Sequence, residues 1–298
     1  MQLVDVGRSH EIAGVIFCVR RALAGALVHL RYAVGVPLLF EDFYSNVWTW
    51  VSGMKCAGTA LLARPRRLEF AAHSSDAMMK IEIFSDIACP WCFIGKRRLE
   101  RALLNAGTKA ELGFRAFQLQ PGLPTEGVPA EAFFERKFGG TERVRAIFER
   151  VTEVGRADGI HFDFHKQQRA PNTELAHRVV RFASSKGQAT RTVEALFSGY
   201  FEQGVDVGEL SEIVRLLDRA EVAIDGAELV AALAAGFGRQ QVANDLSLAR
   251  EYGIGGVPLF IFDQRYSVEG AQPVKHFEQL IRKLLAEDSP HLRAQSAG

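Results

Sequence analysis

Two cysteines stand in the spacing Cys89-Pro90-Trp91-Cys92, immediately after a short alternating apolar stretch and at the start of a helical one. A pair three residues apart at the head of a helix can form, open and exchange a disulfide. The chemistry implied is thiol–disulfide exchange, with Cys89 as nucleophile and Cys92 as resolving thiol. A C-x-x-C pair also supplies half of a zinc site, but that needs two further Cys or His ligands at short spacing. No second half follows: Cys18 and Cys56 lie far upstream, and His161 and His165 sit in an aromatic, loop-like stretch. No metal is therefore expected.

The elements around the motif explain how it would be held. Lys80-Ile81-Glu82-Ile83-Phe84 alternates polar and apolar residues as a half-buried strand does, then breaks at Ser85-Asp86. Pro90 suits a first helical turn, where its missing N–H has no partner to lose. The helix predicted over 91–106 carries Phe93, Ile94, Leu99, Leu103 and Leu104 as its apolar residues. Cys89 then lies at a helix N-terminus, where unpaired N–H groups and the helix dipole favour a thiolate. Cys92 follows one turn later on the same side. Trp91 offers either a docking surface or a packing contact, and Asp86 either orders the turn or accepts a proton.

A second strand is predicted over 111–119, ending at Pro121-Gly122-Leu123-Pro124. Helical periodicity then dominates, over 130–138, 141–157, 173–186, 190–203, 208–217, 226–235 and 237–252. Asn172 or Thr173 caps one of these helices and Gly187 closes it. Strand character returns at 258–262 and 266–268 around a hairpin connection Asp263-Gln264-Arg265, and a helix is predicted over 273–287. The order β-α-β, helices, β-β-α gives an α/β chain: a thioredoxin fold with a large inserted all-helical domain. The divisions are 1–77 as an extension, poorly ordered or non-native, 79–128 with 253–287 as the thioredoxin-like domain, 129–252 as the insert, and 288–298 as a disordered tail.

Composition restricts the partners. The 298 residues carry 36 Lys and Arg against 35 Asp and Glu, so no basic excess is present to build a nucleic-acid footprint. Four cysteines are too few for a disulfide-stapled secreted scaffold. The apolar stretch 12–40 is cut by Arg20, Arg21 and Arg31, leaving pieces shorter than the about 20 residues a membrane span needs and a poor secretory signal. No transmembrane segment is expected, and the setting expected is cytoplasmic.

Three segments resemble one family. Ile83-Phe84-Ser85-Asp86-Ile87-Ala88-Cys89-Pro90-Trp91-Cys92-Phe93-Ile94-Gly95-Lys96, Pro171-Asn172-Thr173-Glu174-Leu175-Ala176-His177-Arg178 and Gly253-Ile254-Gly255-Gly256-Val257-Pro258 are similar, in this order, to the FrnE-like subgroup of the DsbA family. The resemblance spans roughly 79–286. It implies a cis Val257–Pro258 bond beside Cys89, with the backbone of Val257 turned toward an extended substrate, and it makes Pro90, Trp91, Val257, Pro258 and Asn172 the substrate-binding candidates. His177 is either a cleft residue or part of a solvated helix face. Relatives of the same fold include glutathione-dependent isomerases and kappa-class transferases, which usually carry serine where this chain has Cys89. Two cysteines favour dithiol redox, with glutathione retained as a candidate co-substrate and no other cofactor expected. The expected partners are disulfide-containing proteins or small thiols, and a homodimer is left open. A chaperone-like binding protein with a redox switch is the non-enzymatic alternative. The chain departs from thioredoxin six residues before Cys89, where Ile83 replaces a buried aspartate, leaving Asp86, Glu82 or water to move the proton of the resolving thiol.

Overall fold

The computed structural model describes residues 78–288. Cys18, Cys56, the arginines of the 12–40 stretch and the tail beyond Asp288 lie outside the described residues. The first strand, β1 (Met79–Ser85), leads through a tight loop into α1 (Pro90–Asn105) and on to β2 (Ala110–Ala116), parallel to β1. A two-residue ladder, β3 (Val128–Pro129) with β4 (Arg169–Ala170), brackets α2 (Ala130–Phe138) and α3 (Thr141–Ala157). Five more helices follow: α4 (Glu174–Ser185), α5 (Ala189–Ser198), α6 (Leu210–Arg219), α7 (Gly226–Ala234) and α8 (Arg239–Glu251). The chain then returns as the hairpin β5 (Leu259–Phe262) and β6 (Tyr266–Glu269) and closes with α9 (Val274–Glu287). The sheet order is β2-β1-β5-β6, with β5 antiparallel to both neighbours.

Alternation along the strands decides which layer each residue joins. Ile81, Ile83, Phe114, Phe260, Phe262 and Val268 share one core with Phe93, Ile94 and Leu99 of α1 and with Phe277, Ile281 and Leu284 of α9. Phe84 and Leu259 point the other way and meet Ala249 of α8. Each large side chain so buried contributes roughly 1.5–3 kcal/mol. The hairpin turns where expected: Asp263 and Gln264 take φ of 47° and 57°, and the Asp263 carboxylate accepts the Lys80 N–H at 2.7 Å.

Helix α1 is not simply amphipathic. Residues 92–96 are all buried, and the helix emerges in its second half, where Arg101 is exposed and Leu104 is 74% exposed rather than part of the core. The insert encloses its first turns. Phe93 stacks on Phe197 of α5 at 5.1 Å and meets Phe162 edge-on at 6.1 Å, and Phe162 stacks in turn on Phe164. Lys96, 2% exposed, bonds Glu100 at 2.7 Å and Glu194 of α5 at 2.6 Å, while Arg98 bonds Asp158 at 2.8 Å.

Several boundaries differ from expectation for identifiable reasons. The second strand stops at Ala116, because the Leu119 N–H turns to the carboxylate of Asp86 instead of a neighbouring strand. The helix expected over 190–203 widens after Ser198 into a π turn, Gly199–Gln203, where Gly199 lies so close to Leu216 that a Cβ would come within 2.4 Å of it. The next helix begins at Leu210, since Asp206 accepts the Gly208 N–H and Glu209 caps the start. The expected closure at Gly187 is present, with φ of 69° and the Gln188 N–H bonded to Ala183 O.

A charge network fastens α8 to the sheet. Asp245, 2% exposed, accepts the Ala116 N–H at 2.9 Å and pairs with Arg115 at 3.2 Å and with Arg181 of α4. Glu82 takes the other side of Arg115. Asp245→Ala takes the carboxylate from Arg181 and the acceptor from the Ala116 N–H, while Arg115 keeps Glu82, and is expected to lower stability by about 1–3 kcal/mol. Urea unfolding with an unchanged m-value checks this.

Candidate active site

The loop between β1 and α1 is built around Asp86. Its carboxylate, 1% exposed, accepts the Ala88 N–H at 3.2 Å and the Leu119 N–H at 2.7 Å, and its backbone oxygen accepts the Cys89 N–H at 3.0 Å. Asp86 therefore orders the turn, and it does so from a buried position. Cys89 is the N-cap of α1, with extended φ and ψ of −102° and 111°, no side-chain cap and Pro90 directly after it. No acidic residue occupies the first turn, so nothing in it offsets the positive end of the helix dipole.

Opposite the helix start stands the chain entering β5. The Val257–Pro258 bond is cis, and the Cys89 thiol faces Val257 O with Sγ at 3.7 Å. Pro258 is buried and Val257 half-buried. Gly255 and Gly256 are exposed, with open space where a Cβ would stand. Gly95 joins the two halves of the site: a Cβ there would lie 2.9 Å from the Phe260 ring and 3.0 Å from Pro258 Cγ. Trp91 is half-buried and packs against the core, and Pro90 beside it is also half-buried.

Both cysteines are free thiols and both are buried. Burial first, then the neighbouring Cys89, pushes the Cys92 thiol well above its ordinary value, partly countered by the Asp86 N–H and the Ser85 hydroxyl. Among the described residues, no group of three His, Cys, Asp or Glu side chains is placed to hold a metal ion.

The remaining candidates divide. Asn172 uses its amide on the 118–123 loop: Oδ1 accepts from Gln118 at 2.9 Å and from the Glu174 N–H at 3.0 Å, and Nδ2 donates to Leu123 O at 2.7 Å. His177 lies on no solvated face; it is 4% exposed, with Nε2 2.9 Å from Phe117 O and 3.7 Å from Asp86 Oδ1. Glu82 is held by Arg115. Phe162 and Phe164 are buried in the aromatic core, while Phe133, Phe134 and Phe138 are half-buried. One residue was not singled out from sequence. Lys137 of α2 lies in the field of Asp86 and Cys89; desolvation lowers its pKa and these two groups partly restore it, with the Phe133 and Phe138 rings each 5.5 Å from Nζ. A lone lysine in Phe-Phe-Glu-Arg-Lys-Phe carries no local signal of that placement.

Residues 80–282 match the DSBA-like thioredoxin domain family. The chain belongs to that family. A Streptomyces coelicolor protein described as a probable DsbA oxidoreductase is 30% identical, covering 71% of this chain and 92% of its own, with a TM-score of 0.63. Uncharacterized protein YwbO of Bacillus subtilis is 25% identical over 202 residues, 67% of this chain and 94% of its own length. The cytosolic disulfide reductase DsbM of Pseudomonas aeruginosa shares the fold at 15% identity and a TM-score of 0.51, over 70% of this chain and 98% of its own. A 2-hydroxychromene-2-carboxylate isomerase shares it at 13% identity and the same score, over 70% and 97%. The thioredoxin fold with helices inserted between β2 and β5 is thus the arrangement read from the sequence.

Two outcomes test this member of the DSBA-like family at the site. Iodoacetamide at neutral pH is expected to label Cys89 first, because the raised Cys92 thiol stays protonated until the pH is alkaline; peptide mapping at two pH values reads this out. Gly95→Ala drives a methyl into Phe260 and Pro258 and is expected to lose about 1–3 kcal/mol of stability, measured by thermal unfolding.

Proposed function

We propose that the protein is a thiol–disulfide oxidoreductase or isomerase acting through the Cys89–Cys92 dithiol. The observation that carries this reading is the placement of Cys89 at the uncapped start of α1, facing Val257 O, with Cys92 one turn further in. The Cys89 thiolate attacks a substrate disulfide; one substrate sulfur leaves as thiolate and the other stays bonded to Cys89. Cys92 then attacks the Cys89 sulfur, releasing the second substrate thiol. Two electrons pass to the substrate and the enzyme is left as a disulfide. Pro258 and Val257 line the approach, and the open backbone at Gly255 and Gly256 leaves room for an extended chain. Pro90 and Trp91 shape the helix side of the entrance, while Asn172 supports its rim.

The substrates proposed are disulfide-bearing proteins or small thiols, in a cytoplasmic setting where reduction or isomerisation prevails over oxidation. No helix among the described residues is long and apolar enough to cross a membrane. Titration of the full-length protein in glutathione buffers, followed by Trp91 fluorescence and thiol mass spectrometry, tests the reading. A reversible two-electron transition confined to Cys89 and Cys92, lost in Cys89→Ser, is the expected result. A stable glutathione adduct with no transition would move the assignment to a glutathione-linked isomerase or transferase.

A further inference from the structure

The dithiol reading leaves one step without a base. Cys92 must lose its proton before it can attack the Cys89 mixed disulfide, yet burial holds that proton on. The position where a buried carboxylate would serve in thioredoxin is Ile83, 2% exposed. The Asp86 carboxylate is occupied by two backbone N–H groups and Glu82 by Arg115.

A small cavity lies between Ser85 and His177. It is lined by Ser85, Arg115, His177 and Arg181 among apolar Ile87, Phe114 and Val180, and leaves about 10 Å³ for the centre of a water molecule. That is close to the least a single water requires, and the lining offers the polar partners one needs. Ser85, 5% exposed, has its hydroxyl directed at the Cys92 sulfur. His177 reaches the same cavity from α4. A carbonyl can only accept, so the 2.9 Å contact of Nε2 with Phe117 O makes Nε2 the donor; in the neutral ring Nδ1 then holds a lone pair that can take a proton.

Resting on the dithiol reading, we propose that Ser85 and His177 form the proton path of the resolving step, with His177 as the acceptor for the Cys92 thiol proton by way of the Ser85 hydroxyl and the cavity. The bookkeeping closes without an outside reagent. The Cys92 S–H proton passes to the imidazole, the Cys92 sulfur bonds to Cys89, the bond from Cys89 to the substrate breaks, and its electron pair leaves on the substrate sulfur. The imidazolium is met by Asp86 at 3.7 Å. The other charged groups lining the cavity are Arg115 from β2, paired with Glu82 and Asp245, and Arg181 from α4, paired with Asp245 of α8.

The test uses the aromatic disulfide dithiobis(nitrobenzoate) with the full-length reduced protein. Attack by Cys89 releases one coloured thiolate and resolution by Cys92 releases the second, so the two steps separate in one stopped-flow trace. In His177→Gln and Ser85→Ala the second release is expected to slow at pH 7, on the order of 100-fold for the histidine variant, with the first release unchanged. Raising the pH should return both variants toward the wild-type rate, because hydroxide then removes the proton, which repair of a merely structural defect would not do. A second release that keeps its wild-type rate and pH profile in both variants overturns the proposal, as does slowing of both releases together without alkaline recovery. Absence of the first release in the wild type would instead count against the dithiol reading itself. Ser85→Ala removes one oxygen and keeps the test available if His177→Gln fails to fold.

Discussion

Everything at the site depends on the enclosure of α1. Its first two turns are held on three sides: Gly95 lies against Phe260 and Pro258, Phe93 against Phe197, and Lys96 is buried onto Glu194. A helix held on three sides cannot rotate, so the direction of Cys89 toward Val257 O is set by this packing together with the hydrogen-bonded Asp86 turn that precedes it. The aromatic contacts contribute roughly 0.5–1.5 kcal/mol each beyond the area they bury. Their larger effect is to join the insert to the sheet layer in one continuous core.

The buried charges follow the same logic. Lys96 and Asp245 are each almost fully enclosed, and each is matched by charges from different elements, Lys96 by α1 and α5 and Asp245 by β2 and α4. Removing either partner leaves an ion where water cannot reach it, so such pairs specify an arrangement even where their net contribution to stability is small. The neighbourhood of Cys92 is different. Burial and the neighbouring Cys89 hold the Cys92 proton on, and the Ser85 hydroxyl partly counters them.

Much of the site was legible from residue order. The cysteine spacing, the proline at the helix start, the Asn-Thr helix entry and the Gly-Gly-Val-Pro segment are local signals with local physical causes, and the structure draws Cys89, Val257 and Pro258 into one place. The two-residue ladder of β3 and β4 was not legible, since two residues cannot display an alternation. Nor was Lys137, whose place in the field of Asp86 and Cys89 is recorded by no neighbouring residue. His177 reads on a helical wheel as compatible with solvent, and only the neighbouring loop at Phe117 makes it an interior residue.

By itself the sequence determined the dithiol, the order of strands and helices, and the helical insertion between two halves of one sheet, because backbone propensity, capping and apolar period act within a few residues of each other. Tertiary structure alone decided which groups besides Val257 and Pro258 surround the site. Contacts between Lys96 and Glu194 or His177 and Asp86 span about ninety residues or more of chain. Such pairs are fixed by the closing of the whole core, and no local pattern records them.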